Sequence, residues 1–313
     1  MSNEPNKKLQ LIIAFAMIYI VWGSTYLAIA FAIETIPPFI AIGSRFAFAG
    51  FALFAFLRMR GMEAPTLKRT FNASIIGFLT LGLGTGLVAW AEQFITSGLA
   101  ALIITAVPIW LVILDWLMLK GGAPNRFVIA GLVLGLAGIV VLVGPEVAKG
   151  IKSTNGLAVL AVVGATMSWS VGSLRSKMIE MPTNVFMSSA VQMAAGGVVI
   201  FLLGLAFGEG AQFSFEAMSL HSFNGWAYLV IFGSWGAFSA YVWLLGNAPP
   251  KQIASYAFVN PVVAVFLGWW LAGEVVTDRM LIAIVILVAA VSLIVIYGGN
   301  RKVVALKVPS ERN

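Results

Sequence analysis

An arginine and a glutamate stand out because each lies in a stretch of otherwise apolar residues. Arg45 is six residues into one such stretch, and Glu92 lies at the end of another. A guanidinium in apolar surroundings is costly unless it forms an ion pair, reaches polar headgroups or meets an anionic ligand. Two interpretations of Arg45 therefore stay open. One is a structural ion pair or snorkelling, with Glu92 as the obvious partner, and the other is binding or gating of a carboxylate ligand.

Aromatic and hydroxyl side chains on the apolar stretches form a second set of candidates. They are Trp22, Ser24, Tyr26, Trp90, Trp169, Ser173 and Tyr241. Trp22 is about 13 residues, or roughly 20 Å along a helix, from the start of its stretch, which is deeper than a belt of headgroup tryptophans. Because aromatic faces attract both apolar groups and cations, these residues either contact a ligand or pack between helices.

Two prolines interrupt apolar stretches at related positions. Pro108 and Pro261 each lack an N–H group and disturb the carbonyl four residues earlier. Without water, such a carbonyl needs another partner or must line a cavity. Asn260 and Tyr256 lie within a turn of Pro261. The pattern predicts either passive kinks or hinges used in gating, with the Asn260 amide at the same depth.

The motifs of several enzyme classes are missing from the sequence. It has no cysteine and one histidine, His221, so it contains neither His-Glu-x-x-His nor a thiolate metal site. No phosphate-binding loop of the Walker type is present either. The sequence therefore predicts a protein that is not an enzyme and that has no cofactor and no bound metal.

Composition places these residues in a membrane protein. Of 313 residues, 60% are hydrophobic and 10% are charged, with a mean hydropathy of +0.98. A soluble domain has about 25% charged residues. Ten segments approach the roughly 20 residues that cross a bilayer. They run over 9–32, 39–57, 71–91, 97–119, 127–143, 157–174, 185–207, 225–246, 253–272 and 280–297, and are called the first to tenth spans.

The basic residues predict the orientation of these spans. Fifteen Lys and Arg lie in the loops on the side of the N-terminus, against three in the loops on the other side. Because basic loops stay in the cytoplasm, we expect both ends of the chain inside the cell, in the plasma (bacterial inner) membrane. The net charge of +7 is distributed among alternate loops, so it predicts no nucleic-acid partner.

The sequence also repeats itself, at an offset of 147 residues near the N-terminus and 153 further on. The repeated pairs include Trp22/Trp169, Ala47/Ala194, Gly50/Gly197, Trp90/Trp243, Pro108/Pro261, Trp116/Trp269 and Arg126/Arg279, and Gln192 matches Arg45. A repeat of five spans must invert in the membrane. We therefore predict an all-α polytopic protein with ten transmembrane helices in a 5+5 inverted repeat, divided into residues 1–150 and 151–313, the second with a short basic tail.

Four stretches carry a resemblance to a known family. They are Trp22-Gly23-Ser24-Thr25 with its weaker echo at 169–173, Arg45, the stretch 100–108 repeated at 253–261, and Gly273-Glu274. The pattern resembles the drug/metabolite transporter superfamily, in the ten-helix branch with two EamA domains. One departure concerns the Gly-Glu that usually closes each half, because the first half has Lys120-Gly121 there.

The resemblance implies a carrier that works by alternating access and exports amino acids or other small amphipathic metabolites and drugs. Its small-molecule substrate would bind near the middle of the bilayer, between the repeats. Glu92 is the best candidate for coupling transport to protons. An importer or facilitator, a lipid flippase and a pore-forming protein are the alternatives, which differ in saturability, in direction and in the flux of lipid reporters.

Overall fold

The structure is a computed structural model that describes residues 4–118, 124–148, 154–248 and 256–297. These ranges are helical and contain no strand. The α-helices are α1 (Glu4–Ala16), α2 (Trp22–Ala32), α3 (Pro38–Met59), α4 (Leu67–Gly77), α5 (Gly84–Ala91), α6 (Ser97–Ile104), α7 (Val107–Met118), α8 (Arg126–Ala148), α9 (Thr154–Arg175), α10 (Val185–Ala206), α11 (Glu209–Gln212), α12 (Leu220–Tyr228), α13 (Phe238–Asn247), α14 (Tyr256–Ala272) and α15 (Asp278–Tyr297). Three π-helical segments continue them: π1 (Met17–Val21), π2 (Phe78–Leu83) and π3 (Leu229–Ala237).

The helices agree with the predicted spans. Within the described ranges, seven helices are long and apolar enough to cross a membrane, and they coincide with the first four spans and the sixth, seventh and tenth. Shorter apolar helices, Arg126–Leu142 and Val259–Ala272, coincide with the fifth and ninth spans. The eighth span is the continuous helical stretch 220–247. The prediction of an all-α polytopic membrane protein is thus confirmed, whereas the predicted division at residue 150 lies outside the described residues.

The second and seventh spans, α3 and α10, pack so closely that only small residues fit between them. A Cβ atom at Gly50 would overlap the backbone nitrogen of Ala194, and one at Gly197 would overlap that of Ala47. These four residues are two pairs at the offset of 147 residues. Gly50 of the first repeat contacts Ala194 of the second, and Gly197 of the second contacts Ala47 of the first. A local twofold axis that relates the repeats requires this reciprocity.

Equivalent helices of the two repeats run antiparallel, which makes the repeats inverted. On α3 and α10, Gly50 meets Ala194, whereas Gly43, seven residues earlier, meets Phe201, seven residues later. The fifth and tenth spans, α8 and α15, show the same arrangement. Close approach of small residues replaces the hydrophobic effect, which contributes little between helices in lipid.

The π-helical segments were not predicted from the sequence. At the offset of 153 residues, π2 corresponds to residues 231–236, which lie inside π3. The third and eighth spans thus widen at matching depths. By contrast, π1 corresponds to residues 164–168 of α9, which are α-helical. Because π-helical turns are rare and often mark functional sites, these segments are candidates for the functional region of the molecule.

The two prolines predicted to kink their helices behave differently. The fourth span is broken between Ile104 and Val107, with Pro108 just inside the first turn of α7. The missing N–H of Pro108 breaks no hydrogen bond there, because N–H groups in the first turn of a helix have no partner within the helix. Pro261 lies inside the continuous helix α14 instead. The helix is therefore broken next to the proline of the first repeat and continuous at the matching proline of the second.

The close packing of α3 on α10 generates a stability prediction. We expect Gly50→Ala to destabilise the protein by about 1–3 kcal/mol, because the added methyl group overlaps the backbone of Ala194. Gly164→Ala is the control, since nothing lies within 4 Å of a Cβ atom there. Thermal unfolding of the purified variants in detergent measures both effects. Equal stability of the two variants would contradict the proposed contact between the repeats.

Candidate binding site

Arg45 is buried in the second span without an acidic partner. It is 5% exposed, and its guanidinium carbon lies 4.5 Å from the centre of the Phe46 ring. Its Nε donates a hydrogen bond of 3.2 Å to the Ser234 hydroxyl in π3. Within the described residues, its two terminal nitrogens form neither a hydrogen bond nor an ion pair. The expected pair with Glu92 is wrong, because packing turns Arg45 towards the eighth span rather than the third.

The Arg45 side chain lies against a gap in the eighth span that a glycine creates. A Cβ atom at Gly233 would lie 2.9 Å from a terminal nitrogen of Arg45 and 3.4 Å from the methyl group of Thr25. Thr25 is on α2, and its hydroxyl donates a 2.6 Å hydrogen bond to the carbonyl of Trp22. The guanidinium therefore reaches the border between the first and eighth spans, close to the predicted aromatic candidates of α2.

Three of those aromatic candidates form a cluster. The Trp22 ring lies 5.1 Å from the Tyr241 ring and 5.3 Å from the Tyr256 ring, measured between centroids. The two tyrosine rings are 6.3 Å apart. Edge-to-face and tilted rings at these separations attract one another. The cluster brings together the first, eighth and ninth spans, whose residues are far apart in the sequence.

Three tyrosine hydroxyls near this cluster have no hydrogen-bond partner among the described residues. They belong to Tyr26, Tyr241 and Tyr256, all of which are half-buried. Tyr256 lies within electrostatic range of both other tyrosines. Since a phenol both donates and accepts hydrogen bonds, these three hydroxyls offer a ligand several polar contacts beside the aromatic cluster.

Glu92 has a buried carboxyl group whose two oxygens lack hydrogen-bond partners among the described residues. The residue is 8% exposed. In the described ranges, the indole nitrogen of Trp110 is the other buried side-chain atom in this condition. Glu92 is within electrostatic range of Tyr26 and of Glu274. No group of His, Asp and Glu side chains in the described ranges is arranged to hold a metal ion.

Glu274, by contrast, has a full set of partners at the start of α6. Its Oε1 accepts hydrogen bonds from the backbone nitrogen of Ser97 at 2.8 Å and from the Ser97 hydroxyl at 2.6 Å. Its Oε2 accepts one from the backbone nitrogen of Gly98 at 3.0 Å. Gly273 precedes it with a φ of 65°, a backbone conformation that favours glycine. The Gly-Glu pair therefore turns the chain and satisfies a helix start in the other repeat.

A second Gly-Glu pair, missed in the sequence, does the same for α3. Gly208 has a φ of 83°, and Glu209 accepts hydrogen bonds from the backbone nitrogens of Phe39 at 3.3 Å and Ile40 at 2.9 Å. Burial raises the pKa of the Glu209 carboxyl, and these two hydrogen bonds act in the opposite direction. The signal available in the sequence was the dipeptide itself, after the seventh span.

The Asn260 amide stabilises the irregular backbone of the first span. In the orientation that its neighbours require, its nitrogen faces the carbonyls of Ile18 and Tyr256, each at 3.1 Å, and of Tyr19 at 3.3 Å. Ile18 and Tyr19 belong to π1. Asn260 is only 8% exposed. Its contacts are therefore those of a residue that joins the first and ninth spans, which fits a gating role better than direct contact with a ligand.

The remaining predicted residues lie outside the Arg45 and tyrosine groups. Ser24 shares a 2.6 Å hydrogen bond with the Tyr228 hydroxyl, and Trp90 packs on Phe94 with ring centres 5.2 Å apart. Gln192 donates to the Ser188 hydroxyl at 3.1 Å. Trp169 packs against Gly84 of the third span, and Ser173 lies one turn further along α9. Sequence reasoning missed Gly233 and Ser234, whose only signal was two small residues in an apolar run.

The fold and the site together define a class of protein. Inverted repeats of membrane-crossing helices, with irregular backbone and unpaired polar groups between the repeats, are the architecture of secondary transporters. The EamA-like transporter family matches residues 9–144 and again residues 156–296. Because these matches cover most of the chain, the protein belongs to the EamA-like transporter family and is a multi-pass membrane transporter.

Individual relatives agree with this class. The chain is 37% identical over 282 residues to the uncharacterized inner membrane transporter YedA of Escherichia coli K12, covering 90% of this chain and 89% of YedA. It is 27% identical to the protein PagO of Salmonella typhimurium LT2, over 92% of this chain and 93% of PagO. A solved structure described as "Crystal structure of protein" matches with a TM-score of 0.62 at 20% identity, covering 91% of this chain and 96% of its own. That match shows a shared fold.

The contacts of Asn260 generate a second prediction. We expect Asn260→Ala to lower the free energy of unfolding by about 1–3 kcal/mol, because buried carbonyls of π1 lose their donor. Asn224→Ala, at an exposed position of α12, is the control and should change stability little. Thermal unfolding in detergent measures both variants. Unchanged stability of Asn260→Ala would show that its amide does not support π1.

Proposed function

We propose that this protein is a secondary carrier that exports amino acids or other small amphipathic metabolites and drugs by alternating access. The substrate carboxylate binds to Arg45, and the apolar part of the substrate lies against Trp22, Tyr241 and Tyr256. The substrate leaves chemically unchanged, so the protein acts as a carrier and not as an enzyme. The observation that carries the proposal is the buried Arg45 guanidinium, which has no acidic partner in the part of the chain that the structure describes.

The buried Arg45 guanidinium carries a positive charge that needs compensation. A buried charge destabilises a protein unless an opposite charge or several hydrogen bonds compensate for it. Arg45 has one hydrogen bond, to Ser234, and the face of Phe46. A carboxylate ligand would supply the missing charge, and the planar guanidinium is suited to bind it with two parallel hydrogen bonds. An amino-acid or organic-acid group is thus the chemistry that Arg45 favours.

The tyrosine hydroxyls and the aromatic cluster favour an amphipathic rather than a purely ionic substrate. The rings offer an apolar and cation-attracting surface, while the three unpaired hydroxyls add hydrogen bonds. Thr25, beside Gly233 and Arg45, connects this surface to the guanidinium through α2. A small molecule with a carboxylate at one end and an apolar or cationic part at the other satisfies both halves of the site.

The irregular helices support alternating access as the mechanism. Matching π-helical segments in the third and eighth spans, together with the break between α6 and α7, give backbone that bends at lower cost than a regular helix. In inverted-repeat carriers, one repeat or bundle rocks against the other around a central site. We therefore assign these segments as hinges, with Pro108, Pro261 and Asn260 as gating residues.

Export is tested in cells that overproduce the protein, by growth protection and efflux against a panel of amino acids, toxic amino acid analogues and cationic drugs. We expect protection and lower internal substrate with the natural sequence. Arg45→Gln should weaken apparent affinity about ten- to a hundredfold, since a lost charge-assisted contact costs about 1.5–3 kcal/mol. Trp22→Ala should also weaken it, because the apolar part of the substrate loses an aromatic surface.

Arg279→Gln is the matched control, because Arg279 is exposed at the start of α15. Membrane fractions establish that each variant inserts. Normal flux in both Arg45→Gln and Trp22→Ala would overturn the proposed site. Uptake instead of efflux would identify an importer or facilitator, movement of lipid reporters a flippase, and ohmic single-channel current a pore.

We further propose that the protein lies in the bacterial inner membrane with both ends in the cytoplasm. The support is the excess of Lys and Arg in alternate loops, and YedA is described as an inner membrane transporter. The chain has no cysteine, so single cysteines report the orientation directly. In intact cells, a membrane-impermeant maleimide should label Glu216→Cys and leave Lys177→Cys unlabelled, both positions being exposed. The reverse labelling would show that both ends of the chain lie outside the cytoplasm.

A further inference from the structure

Two carboxyl groups lie near each other beside the start of α6, in opposite chemical situations. Glu92, directly after α5, is 8% exposed, and no described residue forms a hydrogen bond with either of its oxygens. Glu274, between α14 and α15, accepts three hydrogen bonds from Ser97 and Gly98. The two groups lie within electrostatic range of each other. Any function of this pair must account for why one carboxyl is fully paired and the other is not.

The surroundings of Glu92 favour its neutral, protonated form. An ionised carboxylate without any donor loses its hydration and gains nothing in return, which costs several kcal/mol. The negative charge of Glu274 adds to that cost. Glu274, by contrast, accepts hydrogen bonds from two backbone N–H groups at the start of α6. We call the arrangement in which Glu274 contacts the start of α6 the closed state. In this state Glu92 holds one proton.

The hydrogen bonds of Glu274 also connect the two repeats. Glu274 belongs to the second repeat, and Ser97 and Gly98 belong to the first. If the repeats separate at this face, the three hydrogen bonds break and water reaches both carboxyl groups. Hydration then removes the penalty on the charged form of Glu92, so its proton leaves. Separation of the repeats and release of the proton thus become one event.

We propose that Glu92 is a proton-binding site that exchanges its proton only when Glu274 separates from the start of α6. This inference rests on the proposed carrier function and adds that protons are its coupling ion. Among the described residues, Tyr26 of α2 and Glu274, between α14 and α15, are the titratable groups that lie in range of Glu92. Arg45 faces Ser234 and does not neutralise Glu92.

The sign of the pH dependence follows from this arrangement. The closed state binds one proton more than the open state, so raising the pH favours the open state. The position equivalent to Glu274 in the first repeat is Gly121, which has no carboxyl group. A carboxylate at this position therefore cannot make the same contact at the opposite face. We assign proton release to the face that contains Glu92 and Glu274.

The first test compares infrared spectra of the natural protein and of the Glu92→Gln variant. Both are purified as full-length proteins in detergent at neutral pH. We expect the C=O stretching band of a protonated carboxyl group that disappears in Glu92→Gln. Glu216→Gln, an exposed carboxylate, is the matched control and should keep the band. A spectrum unchanged by Glu92→Gln would overturn the proposal, because Glu92 would then not carry the proton.

The second test measures opening with a single cysteine at Val88, which is 3% exposed and one turn before Glu92 on α5. A water-soluble maleimide labels Val88→Cys in the purified protein, with the exposed Glu216→Cys correcting for thiol reactivity. We expect labelling to increase with pH by up to about tenfold per unit, the limit for release of one proton. Glu92→Gln should remove this dependence, and Glu274→Gln should increase labelling at every pH.

Glu209→Gln is the control for Glu274→Gln, because Glu209 also accepts hydrogen bonds at a helix start but at α3. It should leave the pH dependence of labelling unchanged. A pH dependence that persists in Glu92→Gln would overturn the proposal. Neither measurement uses a transported substrate, so a failed export assay would test the carrier function separately.

Discussion

The structure depends on one constraint, which is that no water is available in the bilayer core to satisfy polar groups. Each irregular point in the backbone therefore has a side chain that replaces water. Asn260 faces the carbonyls of π1, and the Ser168 hydroxyl donates to the carbonyl of Leu79 in π2 at 2.7 Å. Glu209 and Glu274 do the same for the N–H groups at two helix starts. Bends and turns are tolerated because these partners come from neighbouring spans.

Two buried side chains, Arg45 and Glu92, are exceptions to this rule. Among the described residues, Arg45 has no acidic partner, and no group donates a hydrogen bond to Glu92. Leaving both in place costs stability that apolar residues would not cost. A carboxylate ligand on Arg45 and a proton on Glu92, as proposed above, would offset that cost. In that proposal the substrate and the proton bind at separate places, because Arg45 and Glu92 do not form an ion pair.

The inverted repeat is symmetric in its packing and asymmetric in its polar contacts. Gly50 and Gly197 make reciprocal contacts between α3 and α10, so the centre of the molecule obeys the twofold relation. Glu209 has Met62 at its equivalent position, so its hydrogen bonds to α3 have no carboxylate counterpart. The packing is thus symmetric, whereas Glu209 and Glu274 of the second repeat have no carboxylate at the equivalent positions of the first.

The sequence by itself determined the class, the spans and the inversion, because hydrophobic length, basic loops and matched Trp and Pro residues follow directly from the bilayer. It also singled out Arg45, Glu92 and the aromatic residues, since their type is unusual in apolar stretches. Only the tertiary structure decided their partners. Rotation of each span about its axis, which depends on packing, directs Arg45 to Ser234 instead of Glu92. The π-helical segments shift the helix period locally, so a sequence periodicity of 3.6 residues did not reveal them.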